Sequence, residues 1–256
     1  MTLLIDVGNS AVKWAVLAND GSFSTSGRVL HRDGADVAAG LTAAWGNLGS
    51  VRRAVGCSVA GSAVVRATEG AARRLGLPAV EWMRSQAAFS GTFALTSGYR
   101  DPQQLGADRW HALIGAAARM PGTSLVVVNA GTATTVDCLR VLAGEARFVG
   151  GCIAPGVRLM LESLARGTAG LPLGEGAPAD FPDTTDSAIV TGVFDAQAGL
   201  VERVWKRFSA SLKAPPRLLV AGGHAELLAG RLPHELAPVI DHNLVLRGLA
   251  LRASVR

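Results

Sequence analysis

The stretch LLIDVGNSAVKWAV, residues 3–16, predicts a β-hairpin with a carboxylate at the end of its first strand. The apolar run before Asp6 is typical of a buried strand, and the Gly-Asn-Ser sequence at 8–10 is typical of a tight turn. Apolar alternation then resumes through Val12, Trp14 and Val16. Because carboxylates are rarely buried without a partner, Asp6 is a candidate functional residue.

The same pattern recurs almost half a chain later, in LVVVNAGTATTVD, residues 125–137. A hydrophobic strand again runs into a polar side chain, a spacer, a glycine and small polar residues. The aligned pairs are Asp6 with Asn129, Gly8 with Gly131, and Asn9 with Thr132. An internal repeat of this kind indicates two related halves.

Each hairpin is followed by the same kinds of predicted element, namely a third strand, a helix, a buried strand and a second helix. In the first half they span 21–30, 35–45, 52–59 and 62–75, and in the second half 146–155, 156–165, 216–223 and 224–232. The pattern predicts an α/β fold of two mixed sheets flanked by helices, with a cleft between the halves. The turn-rich stretch MPGTS places the domain boundary between residues 120 and 121, giving domains 1–120 and 121–256.

Composition and charge exclude several classes of protein. An apolar fraction of 49% and a charged fraction of 18% in 256 residues are those of a compact globular protein. The net charge of +5 comes from scattered arginines without interleaved aromatic residues, which favours an ordinary surface over a nucleic-acid site. The absence of a signal-peptide pattern and of any membrane-length apolar run predicts a cytoplasmic protein without a membrane partner. Three separated cysteines and five histidines show no zinc-ligand spacing.

Two glycine turns of this kind are suited to hold phosphate groups. A glycine turn presents backbone N–H groups with no bulky side chain in the way. Asp6 would then bind Mg²⁺, directly or through water, because Mg²⁺ prefers carboxylate, water and phosphate oxygens. Lys13 would neutralise phosphate charge, and a solvated strand lysine is the alternative. Since Asp-x-Gly-Asn is also an ordinary hairpin turn, the hypothesis depends on the duplication.

A third informative stretch is LTSGYRDPQQLGADRWHALIGAAARM, residues 95–120. The apolar spacing from Ala107 onward predicts a helix, which places Asp108 and Arg109 in its first turn. On sequence spacing alone, these two residues have an ordinary structural explanation. Asp108 would interact favourably with the helix dipole, and Arg109 would be its partner on the surface.

Five motifs occur in order along the chain, and they are DVGNS (6–10), GYRDPQQLGADRW (98–110), GTATTVD (131–137), GGCIAPG (150–156) and TDSAIVTG (185–192). Together they resemble those of the type III pantothenate kinases, which include proteins also called Bvg accessory factors. The resemblance covers essentially the whole chain. It implies duplicated actin-like (ASKHA, ribonuclease H-like) domains, a homodimer, and transfer of the ATP γ-phosphoryl group to pantothenate in the first step of coenzyme A synthesis.

The resemblance also implies roles for individual residues. Asp108 is similar to the catalytic base that accepts the hydroxyl proton of pantothenate. The implied ATP-binding residues are Asp6, Val7, Gly8, Asn9, Ser10, Ala11, Val12, Lys13, Gly131, Thr132, Gly222 and Gly223. The implied pantothenate-binding residues are Tyr99, Gly106, Ala107, Asp108, Arg109 and Thr185. Thr185 matches a threonine that reaches the pantothenate site of the other subunit, and Thr184 is the alternative register.

One position departs from the family pattern. The family usually has aspartate before G-T-A, where the carboxylate helps to bind a monovalent cation, and this chain has Asn129. An amide oxygen coordinates a cation without supplying charge, so K⁺, ammonium or no monovalent cation are the alternatives.

Two other classes of function compete with the kinase. A catalytically silent, nucleotide-binding regulator on the same fold would not need Asp108, Arg109 and Tyr99 together. An actin-like or Hsp70-like ATPase that acts on partner proteins would need insertions for which 256 residues leave little room.

Overall fold

The structure is a computed structural model that describes residues 1–31 and 36–255. The chain forms two compact units, of which the first comprises Met1–Arg119 with the C-terminal stretch from Asn243, and the second Met120–His242. Within the described ranges, no helix combines the length and the apolar character needed to cross a membrane.

The first unit contains a five-stranded mixed sheet. Its strands are β1 (Thr2–Val7), β2 (Ala11–Leu17), β3 (Phe23–Leu30), β4 (Arg53–Ser58) and β5 (Val80–Trp82). They lie in the order β3-β2-β1-β4-β5, in which the β1–β2 and β2–β3 pairs are antiparallel and the β1–β4 and β4–β5 pairs are parallel. The unit also contains helices α1 (Val37–Trp45), α2 (Ser62–Arg74) and α3 (Ala107–Arg119), and the antiparallel strands β6 (Ala88–Ser90) and β7 (Ala94–Ser97).

The second unit repeats this sheet topology. Its elements are β8 (Leu125–Ala130), β9 (Ala133–Leu142), β10 (Glu145–Pro155), α4 (Val157–Gly167), α5 (Thr185–Ser209), β11 (Arg217–Ala221), α6 (Ala225–Gly230) and β12 (Val239–Ile240). The order β10-β9-β8-β11-β12 contains two antiparallel pairs followed by two parallel pairs, as in the first unit. The predicted duplication and mixed α/β fold are therefore confirmed. The helix predicted over 35–45 starts at Val37 in the part of the chain that is described.

The helix α5 packs into the core of its own unit. Its buried side chains Val201, Val204 and Phe208 form one hydrophobic cluster with residues of β8, β9 and β11. The apolar pattern of residues 188–205 in this helix is compatible with either a subunit interface or core packing, and core packing explains these three side chains.

The central strand β1 is buried on both faces, and the faces differ in what covers them. Leu3, Ile5 and Val7 pack in a cluster with residues of α1 and α2. Leu4, on the opposite face, packs with Val55 and Cys57 of β4 and with C-terminal leucines. Because side chains alternate along a strand, Asp6 lies on the same face as Leu4.

The C-terminal helix corrects the predicted domain assignment. Residues 243–256 were assigned to the second domain, but α7 (Leu244–Ser254) belongs to the first unit, where Leu246 and Leu249 pack against Leu4 of β1. A Cβ atom at Gly115 of α3 would collide with the carbonyl oxygen of Leu244, and one at Gly248 with that of His111. Glycine at both crossing points lets the two helix backbones touch, and no local pattern reveals where a returning segment docks.

We expect Gly115→Ala to destabilise the protein by roughly 3 kcal/mol, the upper end of the overpacking range, because the new methyl group meets backbone rather than a flexible side chain. Gly70→Ala in α2 is the matched control, since a Cβ atom there has no neighbour within 4 Å. Relief of the helix-propensity penalty should stabilise that variant by about 0.5–1 kcal/mol. Urea unfolding measures both, and equal effects would contradict the close helix crossing.

Candidate active site

The first glycine turn, residues 8–10, connects β1 to β2. The Gly8 N–H donates to the carbonyl of Ala11 at 3.0 Å, and the side chains of Asn9 and Ser10 are exposed. Val7 and Val12 on either side are fully buried in the core. Of the residues implied for this loop, the two valines therefore offer only backbone groups, while the turn itself is open to a ligand.

Asp6 is a buried carboxylate with few partners. Its residue exposure is 9%, and Cys57 Sγ donates a long 3.9 Å hydrogen bond to Oδ1. Burial raises the pKa of Asp6 to about 7, while the charge of Lys13, directly across the hairpin, lowers this pKa and Asp108 raises it. A carboxylate that is costly to ionise in the free protein fits a site for a bound cation, which would stabilise its charged form.

Asp108 lies in the first turn of α3. Its Oδ1 accepts a 2.7 Å hydrogen bond from the Arg109 backbone N–H. A Cβ atom at Gly106 would be 2.6 Å from Asp108 Oδ1, so glycine leaves room for the carboxylate. Burial raises the pKa of Asp108, and the Arg109 N–H and the Arg109 charge lower it. Ala107 packs on the cluster that contains Leu4 and Cys57, which explains why Asp6 and Asp108 interact electrostatically.

Arg109 and Tyr99 contact each other. The Arg109 side chain is almost fully buried, and its Nη1 donates to Tyr99 Oη at 3.0 Å. The guanidinium carbon lies 5.7 Å from the centroid of the tyrosine ring. The structure therefore brings these two predicted residues together, beside the helix turn that carries Asp108.

The second glycine turn, between β8 and β9, is tighter than the first. Gly131 N–H donates to the Ala133 carbonyl at 3.2 Å, which makes this turn one residue shorter than that of Gly8 and Ala11. Asn129 consequently pairs with Thr135, whereas Asp6 pairs with Lys13. The second turn thus has neither the carboxylate nor the lysine of the first.

Two glycines bring other elements against the second turn. A Cβ atom at Gly156 would collide with the carbonyl oxygen of Gly131, and the Gly156 N–H donates to the Thr132 carbonyl at 3.0 Å. Gly222 has a φ of +104°, and a Cβ atom there would collide with the backbone of Ala130. The N-terminus of α4 and the end of β11 therefore both contact this turn directly. Gly223 is exposed.

Two exposed threonines, Thr184 and Thr185, lie at the start of α5. Thr184 is the N-cap, and its hydroxyl accepts from the Ser187 N–H at 3.2 Å. Thr185 is exposed. Thr184 therefore has a capping role in the helix, while both threonines are exposed at its start.

Comparison with known proteins shows the family of this chain. A family model described as type III pantothenate kinase matches residues 2–207. The chain belongs to the type III pantothenate kinase family. A protein of that name from Laribacter hongkongensis is 42% identical over 98% of this chain and 97% of its own length. Another, from Aromatoleum aromaticum, is 42% identical over 99% and 98% of the two chains.

Solved structures show the fold alone, because their sequences have diverged further. A Sinorhizobium meliloti protein described as a 2-dehydro-3-deoxygalactonokinase has a TM-score of 0.60 at 16% identity and covers 99% of both chains. The activator of 2-hydroxyisocaproyl-CoA dehydratase from Clostridium difficile, solved with bound ADPNP, has a TM-score of 0.55 at 15% identity and covers 98% of this chain and 93% of its own. The fold is thus the actin-like fold of kinases and ATPases.

Sequence reasoning missed two residues that contact the glycine turns. Gly156 ends the GGCIAPG motif, and its position directly before a helix was the available signal. The second residue is His31, whose Nε2 lies 3.0 Å from the Gly8 carbonyl oxygen. No local pattern in this pantothenate kinase homologue connects residues so far apart in sequence.

The raised pKa of Asp6 predicts an unusual dependence of stability on pH. The folded protein binds more protons than the unfolded chain between pH 3.8 and about 7, so Asp6 lowers stability progressively across that window. Asp6→Asn should therefore raise the free energy of unfolding of metal-free protein at pH 8, by up to about 4 kcal/mol, and leave it nearly unchanged below pH 4.

The matched control is Asp20→Asn in an exposed turn, where hydrogen bonds from Ser22 lower the pKa of Asp20. That variant should gain no stability at pH 8. Urea unfolding with and without Mg²⁺ measures both variants, and Mg²⁺ should stabilise only proteins that retain Asp6. Equal destabilisation by Asp6→Asn at both pH values would contradict a strained carboxylate.

Proposed function

We propose that this chain is a pantothenate kinase, which transfers the γ-phosphoryl group of ATP to the primary hydroxyl of pantothenate and yields 4'-phosphopantothenate for coenzyme A synthesis. The observation that carries this proposal is the Asp108 carboxylate, which is partly buried, raised in pKa and in electrostatic range of Asp6 beside the first glycine turn. Membership in the type III pantothenate kinase family supports the reaction.

Asp108 would act as the general base. The hydroxyl oxygen of pantothenate attacks the γ-phosphorus, the bond from that phosphorus to the bridging oxygen breaks, ADP leaves, and the hydroxyl proton passes to the carboxylate. A raised pKa makes Asp108 a stronger base than an exposed aspartate, and a positioned base contributes about 10²–10⁴ in rate. The remaining catalysis of phosphoryl transfer is positioning and charge stabilisation.

The two glycine turns and the end of β11 would bind ATP. Lys13 would neutralise phosphate charge, and the N–H groups of the turns would donate to phosphate oxygens. Gly222 and Gly223 would lie near the adenosine. Asp6 would hold Mg²⁺, directly or through water, and the metal when bound would neutralise charge on the phosphates.

Tyr99, Gly106, Ala107 and Arg109 would bind pantothenate, which is an anion at neutral pH. The buried Arg109 guanidinium, hydrogen-bonded to Tyr99, supports this role because its positive charge would attract the carboxylate of pantothenate. In a homodimer, Thr185 of one subunit would reach the pantothenate of the other. The exposed position of Thr185 at the start of α5 supports this arrangement.

A catalytically silent regulator is not favoured by any observation on the described residues. Such a protein has no need of a partly buried base beside a buried arginine and its tyrosine partner. We therefore retain the kinase as the proposed function.

The direct test is ADP release from ATP and Mg²⁺ with and without pantothenate. We expect turnover only with pantothenate, and we expect Asp108→Asn to lower kcat at least 100-fold while ATP binding, measured by calorimetry, stays within about threefold. Asp101→Asn is the matched control, because Asp101 is an exposed cap whose Oδ1 accepts from the Gln103 N–H, and asparagine preserves that bond. Pantothenate-independent turnover, or equal loss in both variants, would overturn the assignment.

The monovalent cation depends on Asn129. We propose that an amide here gives weak or no K⁺ activation, because it supplies no charge to the cation. Asn129→Asp should increase activation by K⁺ or ammonium relative to Na⁺ several-fold. Rates of ADP release in the three salts at constant ionic strength measure this effect, and an unchanged cation response in the variant would argue against a cation at residue 129.

A further inference from the structure

His31 follows β3 and contacts the first glycine turn at two points. Its backbone N–H donates to the Ser10 carbonyl at 3.0 Å, and its ring Nε2 lies 3.0 Å from the Gly8 carbonyl oxygen. Because a carbonyl oxygen only accepts, Nε2 carries the hydrogen in this bond. The side chain is only 7% exposed, although the turn that it contacts is open to solvent.

The ring bond fixes the orientation of a peptide group in the turn. The carbonyl oxygen and the following N–H of a trans peptide point in opposite directions, and the described residues contain no cis peptide. When the Gly8 oxygen points toward His31, the Asn9 N–H must point away from it. The bond to Ser10 holds the other side of the turn in the same way. Together with the bond from the Gly8 N–H to the Ala11 carbonyl, these bonds hold the exposed turn in one orientation before a ligand binds.

We propose that His31 is a positioning residue, which orients the Asn9 N–H for the phosphates of ATP by holding the Gly8 carbonyl. The role rests on the proposed function, since it concerns the same nucleotide site. His31 does not touch the reacting atoms in this role, so its loss weakens nucleotide binding more than the chemical step. The backbone bond to Ser10 survives any substitution, and the ring bond alone is tested.

Three substitutions separate the hydrogen bond from the volume of the ring. His31→Leu removes the donor, His31→Gln places an amide nitrogen near the position of Nε2, and His31→Asn carries the same amide on a side chain too short to reach. We expect His31→Leu and His31→Asn to raise the KM for ATP about tenfold, as expected for one lost hydrogen bond, with kcat and the KM for pantothenate within about twofold. His31→Gln should stay within about threefold of the wild type. Leu30→Ala, at an exposed neighbouring position, should change none of these constants.

Hydrogen–deuterium exchange provides a readout that needs no catalysis. Amides in the peptide that covers residues 6–13 should exchange faster in His31→Leu and His31→Asn than in the wild type, and at the wild-type rate in His31→Gln. Wild-type protein without pantothenate-dependent turnover would overturn the proposed function, while exchange would still decide the role of His31. If glutamine fails to restore the KM for ATP and the exchange rate, or if His31→Gln fails to fold, the positioning role is wrong. If His31→Leu fails to fold, the KM for ATP and the exchange rate of His31→Asn are compared with those of His31→Gln, and that comparison decides whether His31 has the positioning role.

Discussion

Two helices of the first unit, α3 and α7, cross so closely that backbone meets backbone at Gly115 and Gly248. This contact holds α3 in a fixed place beside the sheet, since α7 in turn packs on β1 and β4 through Leu246 and Leu249. The first turn of α3 carries Asp108, and its Ala107 packs on that same cluster. The location of the proposed base therefore depends on a close helix crossing that requires glycine. Gly115 lies roughly 10 Å from Asp108 along the axis of α3.

The first turn of α3 places Asp108 within electrostatic range of the buried Asp6, and two carboxylates so arranged are unfavourable in the free protein. Burial raises the pKa of both Asp6 and Asp108, and the charge of Asp108 adds to the effect on Asp6. Lys13 and the Arg109 N–H oppose these shifts without cancelling them. Strain of this kind is common at functional sites, where a ligand or metal relieves it. The same burial that costs stability would let a bound cation stabilise ionised Asp6, and it makes Asp108 more basic than an exposed aspartate.

The two units share a topology but have diverged in chemistry. The first turn has Asp6 and Lys13 at paired positions, and a buried histidine behind it. The second turn is shorter, lacks charge at the corresponding positions, and is contacted closely by Gly156 and Gly222. A charged turn is suited to metal and phosphate, whereas the glycines around the second turn let the backbone of other segments approach it closely. The two halves thus share one topology, and their glycine turns differ in charge, length and neighbours.

The sequence by itself determined both hairpins, the strands that follow them, the glycine turns, and the helix start with Asp108, because these features are written in local spacing. The recurrence of one motif also determined that the fold is duplicated. Only the tertiary structure decided that α7 belongs to the first unit, that Gly156 lies against the second turn, and that His31 holds the first. It also showed the short strands β5, β6, β7 and β12, whose few residues carry too little periodicity to be predicted. The physical reason is the same in each case: pairing and docking between distant segments depend on where the chain returns, and local patterns of apolar and polar residues do not encode that.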